Sequence, residues 1–275
     1  MTDKLILIKY ILFSFIGWIC IMNTNESMAA RKKVRKIVID AGHGGKDPGC
    51  HGAYSNEKDI TLSISKRVEK LIKDTYKDVK VVQTRDYDFY PPSNESTQTE
   101  SLIYRTAVAN NEKADLFISI HINSTPKRNS SVKGTLVLVC GPTRVDEKNE
   151  AISENANNFQ ENENLLNPND PTTAILIAQY SQAFLTQSIV LGSKINDEFV
   201  MQGRVSEGVR QQSLQVLASS AMPGVLVEIG YLNNTEEEDY LNSEKGQNEV
   251  ALAIFNGIKY YKEESEKEPA IIKEN

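Results

Sequence analysis

The sequence predicts an α/β fold: a mostly parallel, twisted sheet covered by helices on both faces, in a single domain over residues 31–262. Two observations carry this. Short β-branched apolar runs alternate with longer segments whose apolar residues recur at helical spacing, the pattern of βαβ units whose crossover helices cover a buried sheet. The 275 residues, 40% apolar and 25% charged, also suffice for one sizeable core.

Residues 1–30 stand outside that domain. Lys4 and Lys9 precede an apolar run from Tyr10 to Met22, and Ser27-Met28-Ala29 has the small-x-small form of a signal peptidase site. The segment reads as a signal peptide or, because Leu5 to Met22 approaches the length of a span, as an N-terminal anchor. Export is expected, with the periplasm first and a membrane-anchored or secreted form as alternatives. Without this segment two cysteines remain, Cys50 and Cys140. Two are too few for a disulfide scaffold, so the core must hold the fold. The net charge of −6 and the lack of a Lys/Arg-rich block in the body give no electrostatic case for nucleic acid.

Lys36 to Asp40 is a β-branched run suited to a buried parallel strand, and it stops at Ala41-Gly42-His43-Gly44-Gly45. His43 thus stands at the carboxyl end of a strand, where open α/β sheets bind ligands, and flanking glycines allow a sharp turn. Phosphate loops are excluded. GxxxxGK[ST] needs a hydroxyl at Asp47, and GxGxxG from Gly42 needs glycine at the same position.

Ile60, Ile64, Val68, Leu71 and Ile72 fall at helical spacing, Val79 to Thr84 reads as a strand, Leu102 to Ala109 as a short helix and Leu116 to Ile122 as a buried strand. Asp86 to Thr99 is a surface loop near the same rim, and Gly134 to Cys140 is a further strand. Gly141 to Pro171 is acidic, Asn-rich and ends in a strong loop signal. A long helix follows, with Ile177, Tyr180, Phe184, Leu191 and Ile195 on one stripe. Val225 to Gly230 is the last strand, Thr235 to Glu238 fits a capping box, and Val250, Ile254, Ile258 and Tyr261 mark a C-terminal helix. Residues 263–275 read as a charged, frayed tail.

Polar residues interrupt the other strands as well. The strand from Leu116 delivers His121 in SIHINS, and that from Val225 delivers Glu228 in LVEIGYLNN. A lone His121 is explained by a hydrogen-bonded core imidazole and a lone Glu228 by a salt bridge. Three such residues at equivalent rims of one sheet are poorly explained by packing, since burying an unpartnered ionisable group costs several kcal/mol. Glu57, in SNEKDITL, is a fourth candidate, although an acidic residue in a first helical turn also suits the macrodipole. Two imidazoles with one carboxylate form the ligand set of an open catalytic zinc site. Mg²⁺ or Ca²⁺ would call for oxygens. His51 competes for a ligand role from its glycine-flanked loop.

IVIDAGHGGKDPG, the Glu in NEKDITL, TRD at Thr84 to Asp86, RTAVAN from Arg105, ISIHINS and MPGVLVEIGYLNN together resemble the zinc-dependent N-acetylmuramoyl-L-alanine amidases of the amidase-3 type. The resemblance implies one Zn²⁺ per chain held by His43, Glu57 and His121, with Glu228 as the catalytic carboxylate. It also implies a peptidoglycan substrate, cut at the amide between N-acetylmuramic acid and L-alanine during cell-wall remodelling and cell separation. Cys50-His51 and the long segment 141–171 depart from the family pattern.

Amide hydrolysis agrees with these residues, because zinc lowers the pKa of a bound water to about 7 and a carboxylate can move the proton. No GxSxG elbow is present, and Asp40 and Asn123 are candidates to orient the imidazoles or to bond within local turns. A wall-binding protein without turnover and a zinc hydrolase of another amide stay open. Residues 141–171 are expected to regulate the site. From Asp146 to Glu163 six carboxylates face one Lys148, with Val145, Ile152, Ala156 and Phe159 as an apolar stripe. Such a helix could offer a carboxylate to the metal until an activator protein removes it, or could be a solvated surface helix.

Overall fold

The structure, a computed structural model, describes residues 33–127, 129–154 and 171–267. The expected signal segment therefore lies outside the described residues, as do Ala156, Phe159, Glu161 and Glu163. The sheet comprises β1 (Lys36–Ala41), β2 (Lys80–Gln83), β3 (Leu116–Asn123), β4 (Thr135–Cys140), β5 (Ser206–Gln212) and β6 (Gly224–Tyr231), in the order β2-β1-β3-β6-β4-β5. Around it lie α1 (Glu57–Thr75), α2 (Gln98–Asn111), α3 (Val145–Glu154), α4 (Pro171–Met201), α5 (Gln215–Ala218), α6 (Thr235–Asn242) and α7 (Glu244–Ser265).

Strand alternation divides the core in two. Ile37, Ile39, Ile118, Ile120, Val225 and Val227 face α1, α4 and α7, meeting Ile64, Leu191, Ile195 and Ile254. The opposite positions, Val38, Phe117 and Leu226, meet Ala109 of α2 and Val216 and Leu217 of α5. Apolar side chains on both strand faces are what a sheet covered on both sides requires. The helix Thr173–Met201 is long and apolar enough to cross a membrane by length and composition alone, but here Leu191, Ile195 and Phe199 seat it on the sheet.

The sheet is mostly parallel, as expected, and its departure has a physical cause. β4 runs antiparallel to β6, and β5 follows β4 in parallel. The described residues of the 124–134 connection from β3 to β4 form no helix, and a parallel return needs a crossover of about a dozen residues or more. β5 was not foreseen: SEGVRQQ is an edge strand, half-buried to exposed along its length, with no period-two hydrophobicity to read.

Three boundaries also move. The expected capping box at Thr235 to Glu238 does not form, because Asn234 is the cap and its side chain accepts from Glu237 N–H. A capping box is instead made by Thr97 and Glu100, and it starts α2 ahead of the expected Leu102. α7 runs on to Ser265, so the tail begins later than expected. Cys50 and Cys140 are both free.

One buried ion pair fixes β1 beneath the rim. Asp40 is fully buried, and its carboxylate accepts from Arg105 Nη1 at 2.5 Å, Thr84 Oγ1 at 2.6 Å and Ser119 Oγ at 2.7 Å. Burial opposes its charge, yet Arg105 and the two hydroxyls hold its carboxyl below the usual 3.8, at about 2. A depressed folded pKa contributes stability that is present above 3.8 and lost as pH falls toward 2. Asp40→Asn should cost about 3–5 kcal/mol at pH 7, since it strands a buried guanidinium. Urea unfolding from pH 7 to pH 2 checks both points: the wild type should lose stability below about pH 4, and the variant should lack that component of the fall.

Candidate metal centre

The carboxyl ends of β1 and β3 and the start of α1 converge on one point. His43, Glu57 and His121 each offer a ligand atom, and these atoms all lie within 4.8 Å of one another. Glu57 is 3% exposed. Its Oε2 is 3.2 Å from His43 Nε2 and its Oε1 is 2.9 Å from His121 Nδ1. Donors on a tetrahedral ion with bonds of about 2.0–2.2 Å stand roughly 3.3 Å apart, so the set fits a borderline dication with nitrogen and oxygen ligands.

The loop from Ala41 to Asn56 builds this arrangement through its backbone. His43 has φ 60°, unusual for a residue with a Cβ. The turn is held by two buried arginines: Arg85 donates to Ala41 O at 3.0 Å and Gly42 O at 2.8 Å, while Arg105 donates to Ala41 O at 2.8 Å and His43 O at 2.7 Å. A Cβ at Gly42 would lie 2.4 Å from the His121 ring, and one at Gly49 would lie 2.5 Å from Glu57 Oε2 and 2.7 Å from His43. Glycine at these positions leaves the volume that the ligands fill.

Glu57 is not explained by its own helix. Its carboxylate accepts from Cys50 N–H at 2.8 Å and Ile122 N–H at 2.9 Å in addition to facing the imidazoles. The first amides of α1 are instead satisfied by loop carbonyls, Glu57 N–H by Cys50 O and Lys58 N–H by Pro48 O. Burial opposes the charge on Glu57, but His121 and His43 hold its carboxyl far below the ordinary range. Burial likewise opposes protonation of His43, yet Glu57 and Asp47 raise it to about 9. A site this anionic draws cations, and a dication would displace the imidazole protons.

Asp47 was not foreseen as a site residue. Its Oδ2 lies 2.8 Å from His43 Nδ1, the carboxylate contact that fixes the ring of a metal-ligating histidine. The spacing of four in a glycine-rich loop was the available signal. Asp40 and Asn123 do not orient the imidazoles. Asp40 bonds Arg105, Thr84 and Ser119, and Asn123 Oδ1 accepts from Ser124 N–H. His51 stays outside the cluster, exposed and 2.8 Å from Asn56 Oδ1. Burial and Glu57 push the Cys50 thiol well above its usual range, so it offers no thiolate.

Glu228 pairs in register with His121 across β3 and β6, so the two side chains share a face of the sheet. Its Oε2 is buried with no hydrogen-bond partner among the described residues. Burial, with a contribution from Glu57, raises its carboxyl to about 7 although both imidazoles pull it down. A buried, unpartnered carboxylate oxygen beside a cation site costs stability and marks a chemical role.

The helix expected to plug the site does not reach it in its described part. β4 is antiparallel to β6, so Cys140 and α3 lie at the rim opposite the metal cluster. Lys148 there is 5% exposed and donates to the carbonyls of Leu217 at 3.1 Å and Met222 at 2.9 Å, just ahead of β6. Glu147 pairs with Arg144 rather than with a metal site.

Comparison with known proteins agrees with this geometry. Residues 37–260 match the family model Amidase_3, N-acetylmuramoyl-L-alanine amidase. The chain is 30% identical over 238 residues to N-acetylmuramoyl-L-alanine amidase AmiC of Escherichia coli, covering 85% of this chain and 54% of the relative. It is 33% identical over 257 residues to probable N-acetylmuramoyl-L-alanine amidase AmiB of Haemophilus influenzae, covering 87% and 54%. The chain thus spans about half the length of these curated relatives. Among solved structures it resembles an N-acetylmuramoyl-L-alanine amidase from Clostridium difficile 630, with a TM-score of 0.60 and 25% identity over 84% of this chain and 97% of that one. The CwlD amidase of Clostridioides difficile, solved with the GerS lipoprotein, gives 0.62 and 25% over 82% and 98%. With a family match that spans the whole sheet and every residue of the metal cluster, the chain belongs to the N-acetylmuramoyl-L-alanine amidase family.

Proposed function

We propose that the protein is a zinc-dependent N-acetylmuramoyl-L-alanine amidase that hydrolyses the amide between N-acetylmuramic acid and L-alanine in peptidoglycan, in cell-wall remodelling and cell separation. The observation that carries this reading is the His43, Glu57 and His121 cluster with the unpartnered Glu228 oxygen on the strand beside it. The names of the relatives support the substrate.

Zinc held by His43, Glu57 and His121 would supply a Lewis acid that polarises the carbonyl and lowers the pKa of a bound water to about 7. The chain's own residues do the rest. Asp47 fixes the His43 ring through Nδ1, and the arginine-clamped turn keeps that ring at the rim. Glu228 takes a proton from the attacking water as the carbon–oxygen bond forms. It returns the proton to the alanine nitrogen as the carbon–nitrogen bond breaks, so the amine leaves neutral. No side-chain nucleophile is required.

A peptidoglycan substrate places the protein outside the cytoplasmic membrane, which agrees with the export signal read in residues 1–30. CwlD's description as a complex with a lipoprotein supports a protein partner here as well. We assign that partner to residues 141–171, whose described helix α3 would present it with the rim opposite the metal.

Whole peptidoglycan incubated with the protein tests the reaction. A new L-alanine amino terminus is expected; a different new terminus would make the protein a peptidase, and none a binding module. Chelation should abolish turnover, His43→Ala and His121→Ala should lose metal and activity together, and Glu57→Ala should weaken metal affinity. Full activity in metal-free protein would overturn the mechanism. Glu228→Gln should keep metal and fold while losing about 10²–10⁴ in rate, because the amide is nearly isosteric but accepts no proton. Near-normal rates in that variant would assign Glu228 to structure alone.

A further inference from the structure

The capping-box reading of Glu238 fails because its carboxylate is committed elsewhere. Glu238 is 1% exposed. Oε2 accepts from Ala53 N–H at 2.7 Å, and Oε1 accepts from Tyr54 N–H at 2.9 Å, Ser55 N–H at 3.0 Å and Ser55 Oγ at 2.8 Å. A Cβ on Gly52 would lie 2.1 Å from Oε1, so the loop closes around the carboxylate with no room to spare. Three successive backbone N–H groups converging on one anion form a nest, and the anion here is a side chain of the protein itself.

That loop lies between two parts of the metal cluster. Cys50 N–H, on one side of it, donates to Glu57 Oε2, and Glu57 itself follows on the other side. Gly52 N–H bonds Ser55 O at 3.0 Å and Cys50 O accepts Glu57 N–H at 3.0 Å, so the segment from Cys50 to Glu57 is one closed turn with Glu238 at its centre. Glu238 belongs to α6, which directly follows β6 and Glu228. Its neighbour Glu237 works on the other side of α6, accepting from Tyr231 N–H at 2.6 Å and Gly134 N–H at 3.1 Å. Helix α6 therefore connects the loop before Glu57, through Glu238, to the end of β6, through Glu237.

We infer that Glu238 is a positioning residue for the metal centre: it sets the Gly52–Ser55 loop so that the Glu57 carboxylate stays aimed at both imidazoles and in fixed relation to Glu228. The inference rests on the metal-dependent reading above. It differs from a plain stabilising role in what it moves. Loss of a purely structural contact lowers the unfolding temperature and leaves the metal ligands unchanged, whereas loss of a positioning contact changes how the ion is held.

Glu238→Gln separates the two. An amide must turn NH₂ toward N–H groups that already donate, so it breaks part of the nest while keeping its size. Metal affinity is measured by competition with a chromophoric chelator, cobalt(II) reports the ligand field through its visible absorption, and thermal unfolding is followed without metal. The wild type should bind one ion, and Glu238→Gln should bind it about 10–100-fold more weakly with an altered cobalt spectrum, the range typical of groups that support ligands. Glu236→Gln, in the same helix turn but with an 81% exposed side chain, should match the wild type in all three measurements. A Glu238→Gln protein that unfolds earlier yet binds metal with unchanged affinity and spectrum overturns the inference and leaves the metal reading intact. A wild type that binds no metal overturns both.

Discussion

The carboxylate of Glu57 is where the parts of this molecule meet. It is buried, it faces an imidazole from the end of β1 and another from β3, and it takes N–H groups from Cys50 and Ile122. A charge removed from water at this depth persists only when its lone pairs are filled. These groups come from three stretches of chain, the turn after β1, the loop at Cys50 and the His121-Ile122 pair of β3, so the fold must bring all of them to one place. The sheet order does so, since β1 and β3 are adjacent and parallel and end at the same rim.

The supports of that rim are polar and buried, unlike the apolar layers beneath it. Arg85 has no carboxylate within its own set of hydrogen bonds and spends its guanidinium on the carbonyls of Ala41, Gly42 and Lys58. Burial lowers its pKa to about 10, with Arg105 adding to the effect, yet it stays charged at neutral pH. The arginine bonds hold the carbonyls of the turn, and His43 within it adopts a left-handed backbone. The candidate ligand His43 is thus held at the rim by the backbone bonds of its own turn.

Different parts of this organisation were legible in the sequence for different reasons. The strands that carry His43, His121 and Glu228 are apolar on both faces, so a single polar residue at each end stood out. Glu57 was legible as a ligand only through the family resemblance, because an acidic residue at a helix start has an ordinary explanation of its own, which its contacts with His121 and Ile122 remove. The arginine clamp was not legible as such: TRD and RTAVAN carry Arg85 and Arg105 as motifs of the family resemblance, but nothing in their spacing shows that they point inward to carbonyls of β1 and the loop after it. β5 escaped because an exposed edge strand carries no hydrophobic period. The described part of the 141–171 segment lies away from the site for a topological reason. Of the expected apolar stripe, Ile152 is fully buried while Val145 is exposed, and the antiparallel course of β4 sends the described helix to the far rim.

Two carboxylates on neighbouring elements are thus driven in opposite directions by the same fold. Glu57 is as buried as the core, yet two imidazoles and two backbone N–H groups surround its oxygens, and the charged form wins. Glu228, on the strand next to His121, has an oxygen that meets no donor, and burial there favours the proton. The difference is one of supplied donors rather than of depth or residue type. A carboxylate held ionised by surrounding donors is a poor base, since its proton affinity is low. One left short of donors holds a proton less firmly committed to either side, which is what moving it from water to a departing nitrogen demands. The placement of N–H groups thus sets the two carboxylates apart, and the strand register that sets Glu228 opposite His121 brings both to one rim.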